Sequence, residues 1–371
     1  MSSKKDKFSA KDKLYMKLAL SLARVRKGRT GDNPSVGCVI VKNDKIISIG
    51  QTGLNGRPHA ETNAIKNSFE SLKGSKMYIT LEPCNHYGKT PPCTTAIIKS
   101  GINQVFYCLN DIDNKVKGKS YRILSKKNIK VNKKLIKEYA LDLYDSYIIN
   151  RKKKLPYVTG KLAISKNNLI YSEGTKRITD HISDRLSHYL RLKNDAIMIS
   201  SKTLNIDNPK LNCRLVGYEN YSPKRVILDK DLGIKLDSNI IKSAKKNNTI
   251  IFYNSLNNLK LKFLKKKGIY LVKSKLNNYN QLDLKKVIKK LFTLGIKTLL
   301  VEGGDKITKN FLTNRLFDQF YLFRAEKKLS KNKKYLAFSS LSILKKIYSN
   351  KFKISSKLAK DHITIYKRPN V

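Results

Sequence analysis

The sequence predicts an α/β protein of two domains, the first a three-layer α/β/α domain, and three observations carry this. The chain is 371 residues long, enough for two separate cores. Strand-like apolar runs alternate with helix-like segments of roughly ten residues, the pattern of layered α/β folds. A charged stretch ending in proline, NRKKKLP from Asn150 to Pro156, then interrupts the pattern and reads as a linker. The domains are placed accordingly at residues 1–150 and 151–371.

The elements follow in order. In LYMKLALSLARVRKG, Tyr15, Leu18, Ala19 and Leu22 recur at helical spacing, and Ser9 with Asp12 forms a capping box before them. Lys17 interrupts what would otherwise resemble a signal segment. VGCVIVK and DKIISIG are two strands joined at Asn43-Asp44, a hairpin turn. HAETNAIKNSF reads as a helix, KMYITL as a buried strand, TTAIIKSG as a helix closed by Gly101, and QVFYCLND as a strand. Past the linker, PYVTGKLAIS and LIYSEG flank Asn167-Asn168, a pair suited to a type I′ turn. A helix from about Asp180 to Lys193 precedes strands DAIMIS, RVILD and TIIFY, then helix LKKVIKKLFTLG and strand TLLVEGG. That strand enters a helix through Gly303-Gly304, and the second sheet reads as mostly parallel.

Composition narrows the class. Hydrophobic residues make up 40% and charged residues 28%, the balance of a globular protein. Five cysteines (Cys38, Cys84, Cys93, Cys108, Cys213) are an odd, sparse set rather than a disulfide framework, which points to a reducing compartment and hence the cytoplasm. No apolar run of about 18 residues signals a membrane span. The formal charge of +51 is open to two readings. One is nucleic-acid binding through phosphates. The other is compositional bias, favoured because lysines in runs such as KKNN and RKKK lie scattered between the motifs. A basic surface still attracts small phosphorylated substrates.

The first site is read from His59, Glu61, Cys84 and Cys93. His59 and Glu61 fall in the first turn of a helix after Pro58, and each cysteine lies near a proline. Singly, a buried Cys is a small hydrophobe, a His a satisfied polar group, and a Glu in a first turn a dipole partner. Together, one His and two Cys supply three zinc ligands and leave a fourth tetrahedral position open, as catalytic zinc sites do. Glu61, not needed as a ligand, is free to carry the proton. His-x-Glu followed by Pro-Cys and a second Cys is the zinc deaminase layout. The second half offers less. Gly303-Gly304 at a strand-to-helix turn can hold a dinucleotide phosphate on backbone amides, and Arg191 and Arg214 are candidates for a substrate phosphate.

With these residues in hand, the first half resembles the deaminase domain of the bacterial bifunctional riboflavin-biosynthesis deaminase/reductase family. The shared motifs are HAE (His59–Glu61), EPCNHYGKTPPC (Glu82–Cys93) and NPSVG (Asn33–Gly37). The resemblance implies a cytidine-deaminase-like fold, zinc ligands His59, Cys84 and Cys93, Glu61 as proton shuttle, and Asn33, His86 and Lys89 lining the substrate pocket. DIDNKVKGKS, Asp111 to Ser120, is only loosely similar, and Thr52 stands where the family places a histidine. The second half resembles the family's dihydrofolate-reductase-like reductase domain through KLAIS (Lys161–Ser165), TLNIDNPKLNCR (Thr203–Arg214) and VEGG (Val301–Gly304). That resemblance implies substrate contacts at Lys161, Thr175, Thr179, Arg191, Leu211, Arg214 and Glu302, and NADPH contacts at Ala163, Arg177, Thr203, Asp207 and Gly304. After Ser165, Lys166-Asn167-Asn168 stands where the family has x-Asp-Gly, and AEKKLS (Ala325–Ser330) lacks the family's proline and glycine. The implied partner is a small phosphorylated pyrimidine, with homo-oligomerisation left open and neither membrane nor nucleic acid expected. Two rival readings are a nucleic-acid base deaminase and a zinc-stabilised nucleic-acid-binding protein without catalysis. A deaminase with an inactive reductase domain is a third.

Overall fold

The structure, a computed structural model, describes residues 7–175, 177–332, 334–354 and 360–368. The chain divides into two compact units, one ending at Lys153 and the other beginning at Lys154. The stretch read as a linker is in part a helix, because the last helix of the first unit runs through Lys153. It stops there because a proline follows at Pro156, and the residue before proline is pushed out of the helical region.

In the first unit, α1 (Ala10–Arg26) opens with the anticipated capping box between Ser9 and Asp12. Its buried stripe is Tyr15, Met16, Ala19, Leu20 and Ala23, whereas Leu18 is exposed. The helix is therefore rolled relative to the predicted face. The cause is close packing on β1 (Gly37–Lys42), where a Cβ on Gly37 would lie 1.9 Å from the Ala19 carbonyl oxygen. Only small helix residues can face that approach. The hairpin to β2 (Lys45–Gln51) turns at Asn43 (φ 48°) and Asp44 (φ 58°), as a type I′ turn requires.

The remaining elements are α2 (Ala60–Lys66), β3 (Lys76–Leu81), α3 (Cys93–Lys99), β4 (Gln104–Leu109), α4 (Lys119–Ser125), β5 (Lys130–Lys133) and α5 (Lys137–Lys153). The sheet order is β2-β1-β3-β4-β5, antiparallel in the pairs that β1 makes and parallel across β3-β4-β5. At Gly50 in β2 an added Cβ would meet the Ala60 carbonyl oxygen at 2.2 Å, so α2 begins pressed against the sheet. That approach brings the N-terminus of α2 to the ends of the central strands.

The second unit contains β6 (Tyr157–Ile164), β7 (Leu169–Ser172), α6 (His181–Leu192), β8 (Ala196–Ser200), α7 (Ser201–Asp207), β9 (Lys224–Leu228), α8 (Asn239–Lys242), β10 (Thr249–Tyr253), α9 (Asn258–Lys266) and β11 (Tyr270–Lys273). It continues with α10 (Leu284–Thr293), β12 (Thr298–Glu302), α11 (Asp305–Thr313), β13 (Gln319–Arg324), β14 (Tyr335–Ala337), α12 (Leu341–Ile347), β15 (Asn350–Ile354) and β16 (His362–Lys367). Among the described residues the main sheet runs β11-β10-β9-β8-β12-β6-β13-β16-β15. It is parallel from β11 to β13, with β16 and β15 antiparallel at one end. Late strand β12 is inserted between β6 and β8, so the chain leaves in one direction and returns to fill the gap. The crevice at such a switch point, outside the carboxyl ends of the strands, is where open α/β sheets bind ligands.

One predicted turn differs. Asn168 takes a positive φ of 63°, but Asn167 does not, so the turn is not type I′. The Asn167 side chain instead bridges to Leu329, accepting its N–H at 3.0 Å and donating to its carbonyl at 2.9 Å. Strand β7 accordingly pairs with β14 rather than returning along β6. The same bridge holds AEKKLS, with Ala325 and Leu329 buried despite the missing proline and glycine.

Substituting Gly37→Ala forces a backbone collision and should cost about 3 kcal/mol, read as a lowered urea midpoint of the full chain. An unchanged midpoint would contradict the close approach of α1.

Candidate active sites

The first site forms where two helices begin side by side at the end of β3. His59 is the N-cap of α2, in extended backbone, so its ring stands clear of the helix start. Cys93 is the first residue of α3, after the N-cap Pro92. Cys84 follows β3, and its carbonyl accepts the Thr94 N–H at 3.1 Å while its Sγ accepts the Cys93 N–H at 3.3 Å. The three ligand atoms lie within 4.8 Å of one another. His59 Nδ1 stands 3.3 Å from Cys93 Sγ and 3.6 Å from Cys84 Sγ. A tetrahedral zinc with its usual bond lengths would separate nitrogen from sulfur by about 3.5 Å, so the donor set fits that ion.

Electrostatics follow from burial. Hydrogen bonds from Cys93 and His59 hold the Cys84 thiol well below its ordinary value, against the opposing effect of burial. Its hydrogen bond to Cys84, together with burial, holds Cys93 well above. Glu61, in the first turn of α2, is 4% exposed. Burial, reinforced by the Cys84 thiolate, pushes its carboxyl up to about 7. A carboxyl poised there exchanges protons readily near neutrality.

The cavity beside these residues is lined by Asn33 and His86, both anticipated. Asn33 Nδ2 donates to the Gly56 carbonyl at 2.9 Å, and His86 Nδ1 is buried without a hydrogen-bond partner. Lys89 is exposed on the loop and is not among the lining residues. Thr52 accepts the Val36 N–H at 2.9 Å and so braces the NPSVG segment.

The reading of the residues missed Arg57, Glu82, Asp111, Asp113, Tyr147 and Arg151 in this lining. Glu82 accepts N–H bonds from Asp111, Gly118 and Ser120 at 3.0–3.2 Å, and thereby holds the loosely matched Asp111–Ser120 segment against the site. An acid at the end of an apolar strand was the available signal.

In the second unit, Lys161 and Glu302 are register partners on β6 and β12. Arg191 of α6 forks onto Glu302, with Nε to Oε1 at 3.3 Å and Nη2 to Oε2 at 2.9 Å, and its Nη1 donates to the Asn212 carbonyl at 3.2 Å. Burial lowers the Lys161 ammonium, whose Nζ stands 5.0 Å from the Phe323 ring centre.

The other predicted residues are spread around this trio. Thr179 is buried just before the Asp180 N-cap of α6. Thr175 and Arg177 flank residue 176, which lies outside the described residues. Arg177 instead pairs with Asp184 at 3.0 Å. Leu211 is buried at φ 54°, a strained conformation for such a side chain. Arg214 is exposed, and its N–H donates to His188 Nδ1 at 3.2 Å. Thr203 and exposed Asp207 lie on α7, and Ala163 pairs with Phe323 across β6 and β13. Gly304 is the N-cap of α11 with open space around it, the nearest atom to an added Cβ lying at 3.9 Å. His188, one turn from Arg191 on α6, is the residue the sequence reading passed over here.

The first unit thus has the fold and donor set of a zinc-dependent deaminase, and the second is a largely parallel sheet with a charged trio at its switch point. Comparison with known families agrees: the cytidine and deoxycytidylate deaminase zinc-binding region matches residues 9–109, and the RibD C-terminal domain matches residues 156–362. The chain belongs to the RibD family of riboflavin biosynthesis proteins, bifunctional enzymes that join a deaminase to a reductase. It is 35% identical to the riboflavin biosynthesis protein RibD of Aquifex aeolicus, over 96% of this chain and 98% of that one. It is 31% identical to RibD of Buchnera aphidicola, over 95% and 97%. The solved structure of the Thermotoga maritima diaminohydroxyphosphoribosylaminopyrimidine deaminase/5-amino-6-(5-phosphoribosylamino)uracil reductase superposes with a TM-score of 0.81 at 29% identity, covering 97% of this chain and 99% of that one. Acinetobacter baumannii RibD gives 0.82 at 26% identity, with the same coverage. No helix among the described residues is long and apolar enough to cross a membrane.

Burial alone would raise the Glu302 carboxyl, but Arg191 and Lys161 hold it below the usual range. A depressed carboxyl stabilises the fold above its unfolded value, roughly pH 4.3, and that contribution disappears as pH falls through the lower folded value. Glu302→Gln should therefore cost about 3 kcal/mol at pH 7, with the deficit shrinking below about pH 4. Unfolding curves across pH test this, and a deficit that grows on acidification would contradict it.

Proposed function

We propose that the unit ending at Lys153 deaminates a phosphoribosylated diaminopyrimidinone and that the unit beginning at Lys154 reduces the ribosyl chain of the product with NADPH. This assigns the catalytic steps of riboflavin synthesis to the two domains drawn at residues 1–150 and 151–371. The observation that carries the first half is the convergence of His59 Nδ1 with the Cys84 and Cys93 sulfurs, beside a buried, non-ligating Glu61. His59, Cys84 and Cys93 would hold zinc, which when bound supplies the Lewis acidity that makes water a nucleophile near neutral pH. Glu61 takes the proton released by the attacking water and passes it to the departing ammonia, a role open to a buried carboxyl that is not needed as a ligand. Asn33 and His86, which line the cavity, orient the pyrimidine. The likeness to the Thermotoga maritima deaminase/reductase supports this substrate.

In the second unit Lys161, Arg191 and Glu302 form one charged cluster at the carboxyl ends of β6 and β12. Thr175, Thr179, Leu211 and Arg214 complete the substrate side. Ala163, Arg177, Thr203, Asp207 and Gly304 hold the dinucleotide, with the open N-cap of α11 admitting a phosphate. NADPH, when bound, would supply hydride to the sugar C1 as the bond from C1 to the ring oxygen breaks and that oxygen takes up a proton, which opens ribose to ribityl.

Glu61→Gln should keep its zinc, measured by metal analysis, yet release ammonia at least about a hundredfold more slowly. Cys84→Ser should lose both. Full ammonia release from metal-free Cys84→Ser would sink the reading. Lys161→Met should abolish NADPH oxidation with the deaminated intermediate while ammonia release persists. Parallel loss of both activities would argue against two independent sites.

A further inference from the structure

The deaminase cavity carries a cation that no motif supplies. Arg57 lies two residues before His59, is half-buried, and lines the cavity. Its Nη1 donates to Thr90 Oγ1 at 2.7 Å, and its Nη2 points at Gly88, where an added Cβ would stand 3.7 Å away. The guanidinium thus bridges the segment before α2 to the loop between the two cysteine ligands.

The other arginine of the lining, Arg151, is differently engaged. It lies 4.0 Å from the Asp113 carboxylate, donates to the Asp32 carbonyl at 3.4 Å, and sits over the Tyr147 ring at 5.4 Å. The lining acids are answered too: Glu82 by three backbone N–H groups, Asp111 by the Tyr147 hydroxyl at 3.0 Å and the Asp113 N–H at 2.9 Å. Thr52, which occupies the position of the family's histidine, spends its hydroxyl on the Val36 N–H. Lys89 is exposed outside the lining. What remains in the cavity for an anion is the second edge of Arg57, in the same lining as His86 Nδ1, a buried atom without a hydrogen-bond partner.

We propose that Arg57 is a specificity-determining residue of the deaminase site, in which its free guanidinium edge binds the phosphomonoester of the substrate while Thr90 holds the other edge. The assignment rests on the deaminase reading given above. A guanidinium fixed on one side by a hydroxyl is pre-organised, so little side-chain freedom is lost when its other edge forks onto phosphate. The cavity then tells a phosphoribosyl substrate from its unphosphorylated ribosyl counterpart.

The test measures ammonia release by the zinc-loaded full-length chain with each of these two substrates. In the wild type, the phosphorylated form should have the lower KM, and ribose phosphate should inhibit competitively. Charge-assisted bonds of this kind contribute roughly 1.5–3 kcal/mol, so Arg57→Ala should raise KM for the phosphorylated substrate about 10- to 150-fold. Its kcat should change little, its KM for the unphosphorylated substrate should stay put, and inhibition by ribose phosphate should vanish. Arg57→Lys should restore part of the discrimination. Thr90→Val removes the bridge to the loop but keeps the cation, and should preserve the preference for phosphate. If Arg57→Ala leaves the phosphate preference intact, or if Thr90→Val and Arg57→Ala impair both substrates equally, Arg57 only latches the loop and the assignment falls. A wild type that releases ammonia from neither substrate would instead overturn the deaminase reading itself, and this assignment with it.

Discussion

One geometric demand organises the first unit: an imidazole, two thiols and a buried carboxyl must converge at the starts of two helices. His59 and Cys93 meet it because each stands at a helix start, where side chains project beyond the first turn. Cys84 meets it because β3 ends just before it, under the same two helices. Two helices, α2 and α1, lie so close to the sheet because the strands beneath them lack side chains at the contact points. At Gly50 and Gly37 a single methyl would strike the backbone of α2 and α1. The stripe of small residues on α1 faces the second of these contacts.

The second unit solves a different problem, the placing of opposite charges in a half-buried crevice. Lys161 and Glu302 come from parallel strands brought together by the late insertion of β12. Neither would be tolerable there alone, since an unpaired charge out of water is costly. The Arg191 fork balances Glu302 and at the same time ties α6 to the segment at Asn212. One set of bonds thus both balances the buried charges and fixes the relative positions of α6, β12 and the segment at Asn212.

Much of this was legible in the residues. The zinc donors could be read because few functions ask for His, Glu and two Cys in that order, and the strands because their apolar runs are short and bounded by turns. What escaped had weaker local signals. The helix α5 buries only Ala140, Leu143 and Tyr144 among its described residues, a stripe too thin to stand out from its charges. The roll of α1 is set by its neighbour at Gly37 rather than by its own pattern. The Asn167 bridge to Leu329 joins residues far apart in sequence, and turn preferences know only nearest neighbours. Domain-level charge was the least informative feature, since Arg57 and Glu82 are decided by partners that only the fold supplies.

That last point bears on the +51 charge. Lysines scattered over both units create a long-range field that draws in anions of every kind, and salt screens it beyond about 10 Å. The cavity is different: acids outnumber arginines in its lining, and Glu82 and Asp111 are tied to backbone and hydroxyl donors. A site that collected anions by charge alone would not carry those carboxylates. A basic composition and a cavity lining in which acids outnumber arginines are therefore compatible, because the first is a property of scattered lysines and the second of a few positions fixed by the fold.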